Sequence, residues 1–103
     1  MQAALQALSD PSRRTIVAML ADGERAAGDF VTALPIAQPT VSKHLSVLRA
    51  AGLVTVRKDS TRRWYRLNPA PLAELDNWLA GYRRFWAGRL DALEAHLDRT
   101  EPQ

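Results

Sequence analysis
The sequence predicts a mostly α-helical domain with one small β-hairpin, a winged helix-turn-helix in which four helices precede the hairpin and a fifth follows it. Three observations predict it. Two helical patterns, at about 26–34 and 38–51, meet across the short turn at Pro35-Ile36. Two alternating runs, Val54/Val56 and Tyr65/Leu67, flank a polar, turn-rich stretch at 57–63. A last apolar repeat then runs unbroken from 69 to about 99.

The elements follow in order. A first helix is expected over about 2–8, with Leu5 and Leu8 on one face. Ser9-Asp10-Pro11 starts the second: the Asp10 carboxylate can accept from the free amides of the first turn, and Pro11 has no amide to satisfy. Ile16, Val17 and Leu20 give its inward face, and Gly23 ends it. The third helix turns Ala27, Phe30, Val31 and Leu34 inward. The fourth buries Val41, Leu45 and Leu48, at steps of four and three, and closes at Gly52. The hairpin carries Arg57, Lys58, Arg62 and Arg63 at its tip. Asn68 caps the last helix, and Pro69 and Pro71 are tolerated in its first turn. At 1.5 Å per residue that helix is roughly 45 Å long.

With 103 residues, a single domain over 1–103 is expected. No apolar run reaches 18 residues, so no membrane-spanning helix and no membrane partner are expected. No basic-then-apolar leader is visible, and a cytoplasmic location follows as the expectation. The absence of cysteine excludes disulfides, thiolate nucleophiles and sulfur-ligated metal sites. His44 lies two residues from both Ser42 and Ser46, a spacing that puts helical side chains on different faces, and no nearby carboxylate in the sequence would orient it. His44 is therefore read as a DNA-facing or surface residue. The expectation is a protein that is not an enzyme and that uses no cofactor.

Charge is unevenly distributed. Residues 1–36 carry three Arg against four acids, and residues 68–103 four Arg against six. Between them, residues 37–67 carry seven basic residues against Asp59 alone. A basic middle between acidic ends fits a polyanion. On the fourth helix, Pro39, Thr40, Lys43, Ser46 and Val47 point broadly away from the apolar face, with Gln38 and Ser42 flanking them near its start. Such a helix offers its N-terminal residues to base edges in the major groove. Gln pairs with adenine, Lys reaches guanine acceptors, and Ser and Thr serve either. Gln38, Pro39, Thr40, Ser42, Lys43 and His44 are thus the candidate base-facing set, and Arg57, Lys58, Arg62 and Arg63 the candidate backbone contacts on double-stranded DNA.

The run Gln38-Pro39-Thr40-Val41-Ser42-Lys43-His44-Leu45-Ser46-Val47-Leu48-Arg49-Ala50-Ala51-Gly52-Leu53-Val54 resembles the recognition helix of the ArsR/SmtB family of bacterial repressors. Asp10-Pro11-Ser12-Arg13-Arg14 resembles the start of that family's second helix, and Arg63-Trp64-Tyr65-Arg66-Leu67 its second wing strand. The resemblance implies a homodimer that represses transcription at an operator and is released by a signal, with the usual DNA contacts falling on Gln38, Pro39, Ser42 and Lys43. Two departures stand out. The position before the recognition helix, a capping Ser in many members, is Ala37, and losing such a cap costs about 1 kcal/mol. The region Glu24–Phe30 also lacks the cysteines with which many members bind metal. Asp91, Glu94, His96 and Asp98 could form a metal set across paired terminal helices. With one imidazole among them a solvated helix face is the favoured reading, and no metal is expected.

Leu72, Leu75, Leu79, Tyr82, Trp86, Leu90, Leu93 and Leu97 recur near the helical period over 25 residues. That stripe is too long for this core to cover and implies a second copy. The expected dimer surface is Leu5, Leu8, Leu75, Leu79, Tyr82, Trp86, Leu90 and Leu93. Two alternatives stay open: a winged-helix module that binds protein only, and a repressor released by a small-molecule inducer held at the dimer interface.

Overall fold
The computed structural model describes residues 1–100. Its elements are α1 (Gln2–Ala7), α2 (Pro11–Ala21), β1 (Arg25–Ala26), α3 (Ala27–Ala33), α4 (Gln38–Ala50), β2 (Val54–Asp59), β3 (Arg62–Leu67) and α5 (Ala70–Thr100). Met1–Ala73 form one compact unit, and from Glu74 onward the chain forms a second, the body of α5.

Helix α1 has six residues, too few to persist alone. It buries Ala4 and Ala7, and its free carbonyls are taken by the next helix: Arg13 Nε donates to the Ala7 carbonyl at 2.6 Å and Arg14 Nη1 to that of Leu8 at 2.8 Å. Helix α2 starts as its sequence dictates. Asp10 is extended (φ −98°, ψ 132°) and accepts from the amides of Ser12 at 2.8 Å and Arg13 at 3.1 Å, with Pro11 next in line. Those bonds, the Arg13 amide first, hold the Asp10 carboxyl below its ordinary value.

The sheet has three antiparallel strands in the order β1-β3-β2, one more than the sequence signalled. Two residues cannot show alternation, so β1 is invisible until Arg25 meets Tyr65 and Ala26 meets Trp64. The hairpin is also longer than expected. Its ladder continues through Arg57↔Trp64 and Lys58↔Arg63 to Asp59↔Arg62, leaving Ser60-Thr61 as the turn, with Ser60 at φ 59°. The basic residues assigned to a loop at 57–63 therefore stand on strands.

At the other end of the hairpin, Gly52 takes φ 78° to close α4. Asn68 reaches back, its Nδ2 donating to the Gly52 carbonyl at 2.8 Å while its Oδ1 accepts from the Ala70 amide at 3.3 Å. One side chain so ties the end of α4 to the start of α5. The core of the first unit is Phe30, Ile16, Leu45, Leu48, Leu53 and Val41, all fully enclosed, with Ala4, Ala7, Leu20, Val54 and Tyr65 around them. Val17, Val31 and Leu34, expected inward, are half-buried at its margin.

Replacing Asp10 by Ala should lower stability, because it removes the N-cap of α2. Because folding depresses the Asp10 pKa, its contribution is complete above the unfolded carboxylate value and vanishes as pH falls through the folded one. Denaturant titrations at neutral and strongly acidic pH should find wild type and Asp10→Ala apart at the first and converging at the second.

Candidate nucleic-acid interface
Val41, Leu45 and Leu48 are at most 1% exposed, which fixes the outward face of α4. Gln38, Pro39, Thr40, Ser42 and Lys43 are all exposed at its start, and α4 contains no acidic residue. Ala37 is extended (φ −72°, ψ 154°) in N-cap geometry but offers no side-chain acceptor; Pro39 has no amide and the Thr40 amide donates to the Ala37 carbonyl at 3.0 Å. Ser46 is exposed further along, and Val47, expected outward, is half-buried.

His44 departs from the expected row. Its side chain is only 13% exposed, with Nδ1 3.4 Å from Arg13 Nη1 and Nε2 3.9 Å from Asp10 Oδ1. The expectation that no carboxylate lies near His44 is corrected, and its side chain is largely enclosed rather than standing out with the rest of the row. A guanidinium is always a donor, so Nδ1 accepts and the Nε2 proton faces Asp10. His44 thus lies between α4 and the start of α2, close to both Arg13 and Asp10.

The hairpin sorts its cations by strand alternation. Val54 and Val56 share one face with Tyr65 and Leu67, and Lys58 and Arg63 extend that face beyond the core. Thr55, Arg57 and Asp59 share the other with Arg62, Trp64 and Arg66. On this outer face Arg57 is already engaged. Its Nη2 donates to Glu24 Oε2 at 2.8 Å and its Nε to Glu24 Oε1 at 3.4 Å, while Asp59 stands 3.8 Å from Nη1. Arg66 Nη1 approaches the same Glu24 at 3.8 Å. Hydrogen bonding to Arg57 holds the Glu24 carboxyl below its ordinary value and raises the guanidinium. The guanidinium of Arg62 lies over the half-buried Trp64 ring at 5.9 Å. Lys58, Arg62 and Arg63 are paired with no carboxylate among the described residues. Glu24 had no signal in the sequence, since it acquires its place through the pairing of β1 with a distant strand.

On the second unit, α5 exposes Leu79, Tyr82, Trp86, Leu90 and Leu93, together with Leu97. Leu75 is buried, unlike the rest of the expected dimer set. Leu5 of α1 is 41% exposed and Leu8 is half-buried. Trp78 and Phe85, absent from the sequence reading, widen the apolar face. Trp78 meets Tyr82 edge-on at 5.4 Å, and Arg89 covers Phe85 at 4.4 Å. Among the described residues no three His, Cys, Asp or Glu are placed to share a metal ion, and no helix is long and apolar enough to cross a membrane.

Residues 10–56 match the family described as bacterial regulatory protein, arsR family. The chain is 44% identical over 95 residues to the HTH-type transcriptional regulator Rv2034 of Mycobacterium tuberculosis, covering 92% of this chain and 86% of that one. It is 32% identical over 77 residues to the transcriptional repressor SdpR of Bacillus subtilis, covering 75% and 86%. A solved structure described as a possible transcriptional regulator for arsenical resistance superposes with a TM-score of 0.69 at 40% identity, over 90% of this chain and 94% of that one.

Ala37→Ser would supply the missing acceptor in a backbone already shaped for it. It should raise stability by about 1 kcal/mol, measured by urea denaturation, and slow amide exchange in the first turn of α4.

Proposed function
The chain belongs to the arsR family of bacterial regulatory proteins, and from that premise we propose that it is a homodimeric repressor that reads an inverted-repeat operator in the major groove. The observation that carries this reading is the exposed, acid-free row at the start of α4, held outward by the buried Val41, Leu45 and Leu48. Gln38, Thr40, Ser42 and Lys43 supply donors and acceptors for base edges, and Pro39 fills the space between them. Lys58, Arg62 and Arg63 of the wing serve the flanking backbone, which positions the protein without specifying sequence. Relatives described as repressors support the direction of control.

If about three wing cations per protomer meet phosphate, a dimer neutralises about six, and log affinity should fall against log salt with a slope near −5. Lys43→Ala and Gln38→Ala should each relax preference for the operator by about 1–3 kcal/mol, while Lys58→Ala and Arg63→Ala should weaken operator and random duplex alike. Anisotropy titrations over a range of salt measure both. A wild-type slope shallower than about −2 would leave a protein-binding module as the better reading.

The apolar face of α5 is the proposed dimer surface. Trp86 lies mid-stripe, where interface energy tends to concentrate. Trp86→Ala should weaken the dimer by about 3–5 kcal/mol and lose operator affinity with every α4 residue intact. Two copies related by a two-fold axis enter successive major grooves about 34 Å apart. Sedimentation and footprinting of both proteins provide the check; a wild type monomeric at micromolar concentration that protects one asymmetric half-site would end the dimer reading.

A further inference from the structure
We propose that Glu24 sets the strength of the wing's contact with the DNA backbone: it holds Arg57 away from DNA, so that the wing meets phosphate through Lys58, Arg62 and Arg63 alone. The proposal rests on the DNA-binding reading above. Glu24 immediately precedes β1, and the pairing of β1 with β3 carries its carboxylate to the outer face of the hairpin, more than thirty positions from its partner in sequence. Both carboxylate oxygens are used, Oε2 on Nη2 at 2.8 Å and Oε1 on Nε at 3.4 Å. Asp59 stands on the far side of the same guanidinium at 3.8 Å, and Arg66 approaches Glu24 at 3.8 Å. Two of the three cations on that face, Arg57 and Arg66, therefore lie against one acid, and Arg62 lies over Trp64.

The consequence follows from what phosphate attraction is. It is blind to sequence, so each cation given to the backbone tightens every duplex equally and adds nothing to discrimination. The reading row on α4 is short. A wing with every cation free would raise binding to random DNA while the difference contributed by Gln38, Ser42 and Lys43 stayed the same. An exposed ion pair is a weak restraint, so Glu24 and phosphate compete closely for Arg57. A carboxylate beside the backbone also repels it. Removing the charge of Glu24 acts on both counts and tips the competition.

The test uses the full chain on two duplexes, one of random sequence and one selected from a randomised pool for tight binding. Glu24→Gln keeps the shape of the side chain and one acceptor for Arg57. In the dimer it should steepen the salt slope by about 2 and tighten the random and the selected duplex alike, about 3- to 10-fold at low salt, with their ratio unchanged. Arg57→Ala alone should leave the wild-type slope within about 0.5, and in the Arg57→Ala background Glu24→Gln should tighten binding less than in the wild type, because only the lost repulsion remains. A slope that becomes shallower by about 2 in Arg57→Ala would mean that Arg57 already sits on phosphate, and the proposal would be overturned. It would equally be overturned if Glu24→Gln lost affinity with an unchanged slope, since Glu24 would then only prop the hairpin. A wild-type slope near zero removes the DNA reading itself and the proposal with it; a steep wild-type slope with silent variants removes only the role of Glu24.

Discussion
Burial of Val41, Leu45 and Leu48 is the constraint on which the rest of the first unit depends. Helix α4 packs against α1, α2, α3 and β2, so every neighbouring element meets this one stripe or its flanks. Each fully buried aliphatic side chain is worth about 1.5–3 kcal/mol, against about 1 kcal/mol for the cap that Ala37 lacks. Tertiary packing therefore decides where α4 lies, and its uncapped start follows. A helix held by three buried residues has one orientation, and its opposite face must carry Gln38, Thr40, Ser42 and Lys43 into solvent.

The punctuation of the fold was legible because it is local. Asp10-Pro11 opens α2, Gly52 closes α4 and Asn68 caps α5, each through bonds that span a few positions or a backbone angle of its own residue. The outward row of α4 was legible for the same reason, since periodicity alone sets it. His44 was misread although the signal was present. It lies four residues before Leu48 and three after Val41, about 40° and 60° from them around the helix, on the flank of the core stripe. Its polarity outweighed its angle. The third strand and the Glu24–Arg57 pair had no local signal at all. Each exists only because residues 25–26 pair with residues 64–65.

Net charge by segment overstates the charge that stands free on the surface. Arg13 and Arg14 satisfy the end of α1, Arg25 donates to the Met19 carbonyl at 3.2 Å near the end of α2, and Arg57 is held by Glu24. These cations serve the fold first. What remains toward solvent from the basic middle is narrower: Lys43 and Arg49 on α4, and Lys58, Arg62 and Arg63 on the hairpin. A sum of charges cannot tell a guanidinium that closes a helix end from one that waits for a ligand; only the acceptors around it can.

On the proposed reading, the shortness of the α4 row and the apolar face of α5 answer to a single requirement. Two turns of helix reach only a few base pairs, and a wrong base pair costs roughly 1–3 kcal/mol. One copy therefore cannot set an operator apart from the excess of random sites around it. Additional phosphate contacts would not help, because they strengthen both sides of that comparison. Discrimination has to come from reading more bases, and a second copy doubles the number read without lengthening α4. The exposed stripe of Leu79, Tyr82, Trp86, Leu90 and Leu93, widened by Trp78 and Phe85, gives that second copy an apolar surface on which to pair. A wing with part of its charge neutralised and a terminal helix with its apolar face open then follow the same logic: both raise the share of binding energy that depends on sequence.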